Sequence, residues 1–503
     1  MGEVTEHQIQ IQLDTEYAEE PWRLPTLWNS EYMRNWFRER GYHLYTWRYD
    51  EYGECTLICY PSLPDELKET VFPYAYRGGD DRLVWDLDEQ PALFVVDSKG
   101  NMLYAQNLQG HHVAIKLVKT RHEYEVLQYL QKQCIDNSQE HFSHVIPILE
   151  ILPFGHYWFA VMPRWGDLPN HPAPQTIGEA LEFIRCMLKG LNFLHQHRIA
   201  HGDITPTNTL VNHFGRAHFI DQNPYRSKLR SEGLLTYALF DFDFSVMFPQ
   251  TSALEECRLP YQESWHGTPG FTPSDTAQGE FDFSPFAWDV CGMGMTLCYE
   301  FQHLIPDVPI LAPLLDKMVM RDPAQRFTAS EALRFFEEVV YPWAAEYKVL
   351  QCRACTDKGQ GSRGPDVDRW QGLDPAFVNE WAAFRQPPLP WFTKFMRIVC
   401  DSDWRTHNVA WIRKRLHEPI KLNFVLNVYR REQCLVRGKN YGRIRLILLS
   451  MLCSAFVLVE TFMTMTRIPD LLSHHPDSFS PNRENIDFKT QSGSYIAVYA
   501  LLP

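Results

Sequence analysis

The sequence predicts an α+β fold in which a small β-rich part precedes a larger helical one, with a cleft between them. Three observations carry that prediction. First, strand-like stretches crowd residues 92 to 163: Ala92–Asp97, Met102–Leu108, Val113–Val118, His144–Leu152 and Tyr157–Met162, each short and mostly apolar, the first two parted by the turn Ser98-Lys-Gly-Asn101. Second, from Thr176 the apolar residues switch to helical spacing, with Leu181, Ile184, Leu188, Leu191 and Leu194 on one face. Third, 503 residues of which 45% are hydrophobic and 14% aromatic supply enough apolar surface for two or three domains. The pattern divides the chain into an aromatic-rich N-terminal extension (1–85), a β-rich part (86–165), a helical part (166–347) and a C-terminal extension (348–503).

Composition removes several function classes. The net charge of -14 argues against a sequence-independent grip on nucleic acid, which needs a basic surface. The start, Met1-Gly-Glu-Val-Thr-Glu6, has neither a basic n-region nor an apolar run, so a cytoplasmic or nuclear location is expected. Twelve scattered cysteines fit reduced thiols. The lone Cys352/Cys355 pair has no second pair at zinc spacing, and Cys55 with Cys59 is no stronger, so buried or incidental thiols are expected there.

In residues 1–85 the density of Trp and Tyr (Trp22, Trp28, Trp36, Trp47, Tyr42, Tyr45) is too great to stay exposed, and the segment is expected to dock on the β-rich part after it. It reads as a helix over Trp28 to Arg40 and strands over Tyr42 to Arg48 and Glu54 to Tyr60. The strand Val113–Val118 contains Val-Ala-Ile-Lys116. An amphipathic helix comes next, offering Glu123, with Glu125 as the rival, as a partner for the lysine. The helix ending near His195 runs directly into His201-Gly202-Asp203-Ile204-Thr205-Pro206-Thr207-Asn208. A polar insertion over Asp221 to Gly233 leads to a hydrophobic run ending in Asp241-Phe242-Asp243. Further on stand Gly267-Thr268-Pro269, Pro273-Ser-Asp275, the buried-looking Phe286-Ala-Trp-Asp289, and Arg321-Asp-Pro-Ala-Gln-Arg326.

Taken in order over residues 92 to 343, these motifs resemble the eukaryotic protein kinases, and more narrowly the divergent kinase-like proteins of fungi. The resemblance implies a bilobal protein kinase-like fold: a small antiparallel β lobe with a C-helix, and a larger helical lobe. It implies ATP and Mg2+ as cofactors and a protein hydroxyl as acceptor. Lys116, fixed by Glu123, is expected to hold the ATP phosphates; Asn208 and Asp241 to hold magnesium; Asp203 to orient the acceptor hydroxyl. Met162 stands at the gatekeeper position, and the backbone of Pro163, Arg164 and Trp165 is expected to face the adenine, although Pro163 has no N–H to offer. Gly100 is the one glycine in the expected phosphate-covering loop. Asp289 is expected to hold the catalytic loop through its backbone, and Arg326 to pair with Asp275.

The chain departs from the family pattern at four places. The glycine loop is sparse, Gly202 replaces an arginine, Thr205 replaces a lysine, and Asp243 replaces the glycine after Asp-Phe. Two other readings therefore stand beside a Ser/Thr-type protein kinase. One is a pseudokinase acting as a binding or scaffold module. The other is a small-molecule phosphotransferase of the aminoglycoside and choline kinase type.

Beyond Trp343 the resemblance stops. Gly359-Gln-Gly361-Ser-Arg-Gly364 is a formal GxGxxG, rejected as a phosphate loop because it follows no strand and runs into Pro365. Helical stretches carry Trp370, Trp381, Trp391 and Trp404. The apolar run Leu446–Val459 is short for a bilayer, and extending it to Met465 admits Glu460; a buried helix is favoured over a membrane tail anchor. His474 to Ser494 reads as a loose polar tail. Oligomeric state is not encoded in any motif of the chain.

Overall fold

The computed structural model describes residues 9–10, 13–14, 27–49, 55–63, 71–78, 93–94, 101–133, 139–215, 223–343, 350–352 and 367–417. The chain divides into two compact units, Met1–Arg413 and Lys414–Pro503, and the sheet and helical core are those of the first. Cys355, the Gly359–Gly364 stretch, Gly100, Trp22, the run 446–459 and the polar tail lie outside the described residues.

In chain order the first strands are β1 (Tyr42–Leu44), β2 (Thr46–Tyr49), β3 (Cys55–Tyr60), β4 (Tyr76–Arg77), β5 (Leu93–Phe94), β6 (Met102–Asn107), β7 (His112–Val118), β8 (Glu150–Phe154) and β9 (Tyr157–Pro163). Five form an antiparallel sheet in the order β1-β6-β7-β9-β8. The register sets Tyr104 opposite Ala114 and Ala114 opposite Met162, and one step along sets Met102, Lys116 and Ala160 in a row. Because successive side chains alternate, these six residues share one face, and Leu103, Val113, Ile115, Leu117, Phe159 and Val161 share the other.

One strand differs from expectation. The neighbour of β6 is β1, not Ala92–Asp97; within that stretch Leu93–Phe94 pairs instead with β3, in a separate three-stranded sheet β2-β3-β5. The expected Tyr42–Arg48 strand splits at Tyr45, whose N–H bonds to the Tyr104 carbonyl at 2.8 Å, and its two halves enter different sheets. The N-terminal region thus contributes a strand to the sheet as well as covering it.

The covering element is helix α1 (Glu31–Glu39), shorter than expected because Ser30 caps it: the Ser30 hydroxyl accepts from the Met33 N–H. Met33, Trp36 and Phe37 are buried, and the Trp36 and Phe37 rings pack within 6 Å of Phe159. Trp28 joins them edge-on. Tyr45 and Trp47 are buried in a separate cluster with Cys59 and Phe214.

Helix α2 (Arg121–Gln133) comes after the sheet's lysine strand. The larger core surrounds α3 (Ile177–Gln196), α5 (Pro285–Phe301), α6 (Leu311–Met318) and α7 (Ala329–Phe335). The region read as a polar insertion is in part helix α4 (Pro224–Ser231), capped by Asn223. Its Arg226 is fully buried, donating to the carbonyls of Asp167, Leu168 and His171 and to that of His213. A segment whose carbonyls find few backbone partners is held this way by guanidinium groups. Part of the C-terminal extension packs on the same body: the Asp316 carboxylate accepts from Arg369, from the Trp370 indole and from the Gln386 N–H, each within 3 Å. The last described helices are α8 (Trp391–Val399) and α9 (Asp403–His417). Among the described residues no helix is long and apolar enough to cross a membrane.

Candidate active site

The site is built around the segment that α3 feeds. A turn with Arg198 at φ 56 leads into Ile199–Ala200, which pairs antiparallel with Val246–Met247, and His201–Asn208 comes next. Asp289, in the first turns of α5, reaches this segment from beneath. Its Oδ2 accepts from the His201 N–H at 2.6 Å and its Oδ1 from the Gly202 N–H at 2.9 Å, while His195 Nε2 lies 3.1 Å from Oδ2. A carboxylate with 1% exposure is thus satisfied by three donors, which fixes the backbone before Asp203.

Gly202 has a local reason to be glycine. Its φ is +85, and a Cβ there would meet the Phe244 carbonyl oxygen at 2.5 Å. The same Phe242–Ser245 turn ties back through the Ser245 hydroxyl, which donates to the His201 carbonyl.

Asp203 is held from two sides. Asn208 Nδ2 donates to its carbonyl at 2.9 Å and to its Oδ2 at 3.0 Å. The Thr268 N–H donates to Oδ1 at 2.9 Å and the Thr268 hydroxyl to Oδ2 at 3.0 Å. In the sequence Thr268 stands out only as part of Gly267-Thr268-Pro269; its contact spans 65 residues and no local pattern points to it. Thr205 bonds to its neighbour Thr207, hydroxyl to hydroxyl, at 2.8 Å.

On the sheet, Lys116 is buried on β7 and its Nζ reaches three carboxylates: Glu123 at 2.6 Å, Asp241 at 2.6 Å and Asp243 at 2.5 Å. Glu123, in the first turn of α2, is the lysine's partner; Glu125 is exposed and pairs with Arg121 instead. The short interval from Lys116 is bridged because α2 starts at Arg121, with the Thr120 hydroxyl accepting from the Glu123 N–H. Burial pulls Lys116 down, but Asp241, Glu123 and Asp243 outweigh it and hold the ammonium well above its ordinary range. Burial pushes Glu123 up to about 8; Lys116 opposes that shift and Asp243 adds to it. Asp241 sits in the left-handed region at φ 69, a conformation that aspartate tolerates and that recurs at functional sites.

At the far end of β9, Met162 is buried, and the Arg164 N–H is committed to the His112 carbonyl at 3.1 Å. The Arg164 guanidinium is also buried, lying over the rings of Tyr104, Phe214 and Tyr45 at 4.3 to 5.2 Å. Trp165 is buried as well, with its indole N–H donating to the Pro73 carbonyl. Of the three residues expected to present backbone to adenine, Pro163 therefore lacks an N–H and Arg164 has used its own. The structure brings Lys116, Glu123, Asp241 and Asp243 into one cluster and Asp203, Asn208 and Thr268 into another.

The supporting ion pair is present. Arg326 donates to Asp275 through both terminal nitrogens, at 2.9 and 2.7 Å, and its remaining donors reach the Met320 and Ala287 carbonyls. Both side chains are almost fully buried.

Comparison with known proteins gives the same direction. The chain is 26% identical over 268 residues to serine/threonine-protein kinase GRIK2 of Arabidopsis thaliana, an overlap of 45% of this chain and 59% of that one. It is 28% identical over 267 residues to serine/threonine-protein kinase GRIK1 of the same plant, covering 45% and 60%. It is 25% identical over 205 residues to a calcium/calmodulin-dependent protein kinase kinase of Caenorhabditis elegans, covering 39% and 33%.

The chain has a protein kinase-like fold.

No protein-family model matches it. The chain spans about three-fifths of the length of the two plant relatives and a third of the nematode one. The antiparallel sheet and the helical core fit an α+β kinase-like architecture.

Proposed function

We propose that the chain is an ATP-dependent, Ser/Thr-type protein kinase, transferring the γ-phosphate of Mg-ATP to a protein hydroxyl. In this reading the five-stranded sheet and α2 are the small lobe, with α2 as its C-helix; α3 and α5 to α7 belong to the large lobe, and the reaction lies between them. The observation that carries it is the Lys116 ammonium held by Glu123 and Asp241 opposite an Asp203 carboxylate fixed by Asn208 and Thr268. Phosphoryl transfer asks the protein mainly for positioning and charge.

Each residue then has a role that its surroundings support. Lys116 binds phosphate oxygens, and Glu123 orients it. Asp203 accepts a hydrogen bond from the acceptor hydroxyl and takes its proton; Thr268 and Asn208 keep the carboxylate aimed. Asn208 spends its N–H2 on Asp203, which leaves its amide oxygen as a hard donor for a cation. Asp241, Asn208 and Asp243 are the oxygen ligands that suit Mg2+, and the carboxylates of Glu123, Asp241 and Asp243 have oxygens within 4.8 Å of one another. When bound there, Mg2+ supplies charge neutralisation for the phosphates.

A second reading, a pseudokinase serving as a binding module, is favoured by one feature: Asp243 takes a third bond on Lys116, at 2.5 Å, and so competes with phosphate for the ammonium. Both readings are separated by incubating the protein with γ-labelled Mg-ATP, alone and with generic protein substrates, using Asp203→Asn as the control. Label that disappears in Asp203→Asn supports the kinase. A Mg-ATP-dependent thermal shift without label supports the pseudokinase, and neither signal removes both. Label appearing on small alcohols but never on protein would move the chain to the small-molecule class.

A further inference from the structure

Helix α8 faces the wrong way for a helix of a globular core. Its apolar side chains Trp391, Phe392, Phe395 and Ile398 are 78%, 52%, 52% and 68% exposed. At about 100° per residue they fall on a single arc of roughly 120°. The opposite side, turned toward the body, carries Thr393, Met396 and Arg397, and Arg397 donates to the Ser274 hydroxyl at 2.6 Å. A surface helix ordinarily buries its apolar stripe; α8 exposes it. Helix α9 repeats the arrangement, with Trp404 and Trp411, seven residues apart, 70% and 55% exposed while Thr406 and Ala410 are buried. Six of the thirteen exposed large hydrophobic side chains among the described residues lie in these two helices, so they are concentrated there.

The patch is rigidly seated. The Tyr261 hydroxyl pairs with His407 Nδ1 at 2.8 Å, and Arg413 pairs with Glu280 at 3.2 Å. Gly279, at φ +77, leaves room for α9: a Cβ there would meet Val409 Cγ1 at 2.4 Å. The aromatic side chains are thus presented by helices fixed to the Tyr261–Glu280 segment.

Charge decides among occupants. Between residues 391 and 445 thirteen Lys and Arg stand against four Asp and Glu, a formal +9, in a chain whose total is -14; the remainder therefore carries -23. Indole and phenyl groups followed in the sequence by a concentration of lysine and arginine are the chemistry of the boundary between lipid headgroups and acyl chains. In sequence the basic stretch leads directly into the apolar run 446–459.

We propose that the outward face of α8 and α9 is a membrane-binding surface, inserting Trp391, Phe392, Phe395, Ile398, Trp404 and Trp411 at interfacial depth into a bilayer of anionic phospholipid. The basic residues supply attraction to the anionic headgroups, and the apolar arc supplies insertion. This mode needs no spanning helix and is independent of the phosphotransfer reading.

The test is co-sedimentation of the 503-residue chain with vesicles of phosphatidylcholine alone and with about 30% phosphatidylserine, compared with Trp391→Glu/Phe395→Glu and with Leu108→Glu, an exposed leucine far along the chain. Far-ultraviolet circular dichroism and the melting temperature establish that each variant is folded. The expected result is binding that requires phosphatidylserine, weakens with salt, and falls on the order of ten-fold in the double variant but not in Leu108→Glu. Absence of binding to phosphatidylserine vesicles would overturn the proposal. So would binding that the folded double variant retains in full, which would place the affinity elsewhere in the basic stretch or in the run 446–459. Sedimentation showing a dimer that the double variant dissolves, without lipid binding, would assign the patch to a second copy.

Discussion

The two faces of the five-stranded sheet are made by the same strands at alternating positions, yet they are built on opposite principles. The outer face, with Val113, Ile115, Leu117, Phe159 and Val161 under Trp28, Trp36 and Phe37, is apolar and buried. Each such side chain contributes about 1.5–3 kcal/mol by leaving water. The cleft face carries Lys116 among three carboxylates, Arg164 among aromatic rings, and His112, whose pKa burial pushes down to about 2 with help from Arg77 and Arg164. Removing such ions from water costs several kcal/mol each, offset by their mutual contacts. The outer face therefore sets how stable the sheet is, and the cleft face sets how that stability depends on pH.

The largest effect expected is on the outer face. Phe37→Ala removes a fully buried ring that packs on Phe159, and should cost about 4 kcal/mol. Nothing in that contact titrates, so the loss should be the same at pH values of about 5.5, 7 and 8.5 in urea melts; a loss that varies with pH would break the division between the faces. Next is Lys116→Met on the cleft face. It leaves three carboxylates without their cation and should cost about 3 kcal/mol at about pH 8, as removal of one partner from a buried pair does. At about pH 5.5 the cost should shrink, because the unpaired acids can take up protons. Equal costs at both pH values would show that the carboxylates are already relieved by solvent.

Legibility in the sequence divides along the same line. Lys116, Asp203, Asn208, Asp241, Asp275, Asp289 and Arg326 each stand out in the sequence by a short motif, and the structure sets Arg326 against Asp275 and Asp289 against the His201 N–H. Strand β1 falls within the strand read over Tyr42 to Arg48, but its partner could not be located. Three residues, Tyr42–Leu44, carry no signal that distinguishes pairing with Met102–Asn107 from continuing into Thr46–Tyr49, since alternation gives a face and not a partner. Polar composition likewise conceals Arg226, because a buried guanidinium serving carbonyls has no periodicity to betray it. Aromatic content is equally ambiguous in the C-terminal extension, where Trp370 is 3% exposed and Trp391 78%. Only the packing of neighbouring elements separates them.

The smallest and most specific effect concerns Asp243, one of the four places at which the chain departs from the family pattern. Burial raises Glu123 to about 8, and Asp243 contributes to that rise. A carboxyl whose pKa is higher in the folded protein binds its proton more tightly there, so its contribution to stability is complete below about 4.5 and is lost as pH rises through about 8. His112 works in the other direction: its depressed pKa gives a contribution present above about 6.5 and lost as pH falls. Above about pH 6.5 the histidine contribution is constant; Glu123 then works to lower stability as pH rises toward 8, while Lys119, whose pKa burial pulls down to about 7, works to raise it over the same range. Asp243→Asn keeps the size of the side chain, removes one negative charge beside Glu123, and leaves Lys116 with two carboxylates. Because Asp243 raises the pKa of both Glu123 and Lys119, the variant's stability should fall less, or rise more, than the wild type's between about pH 6.5 and 8.5. A variant with the wild-type pH dependence would mean that burial alone sets both shifts, and that the third carboxylate on Lys116 acts in some way other than through its charge on Glu123 and Lys119.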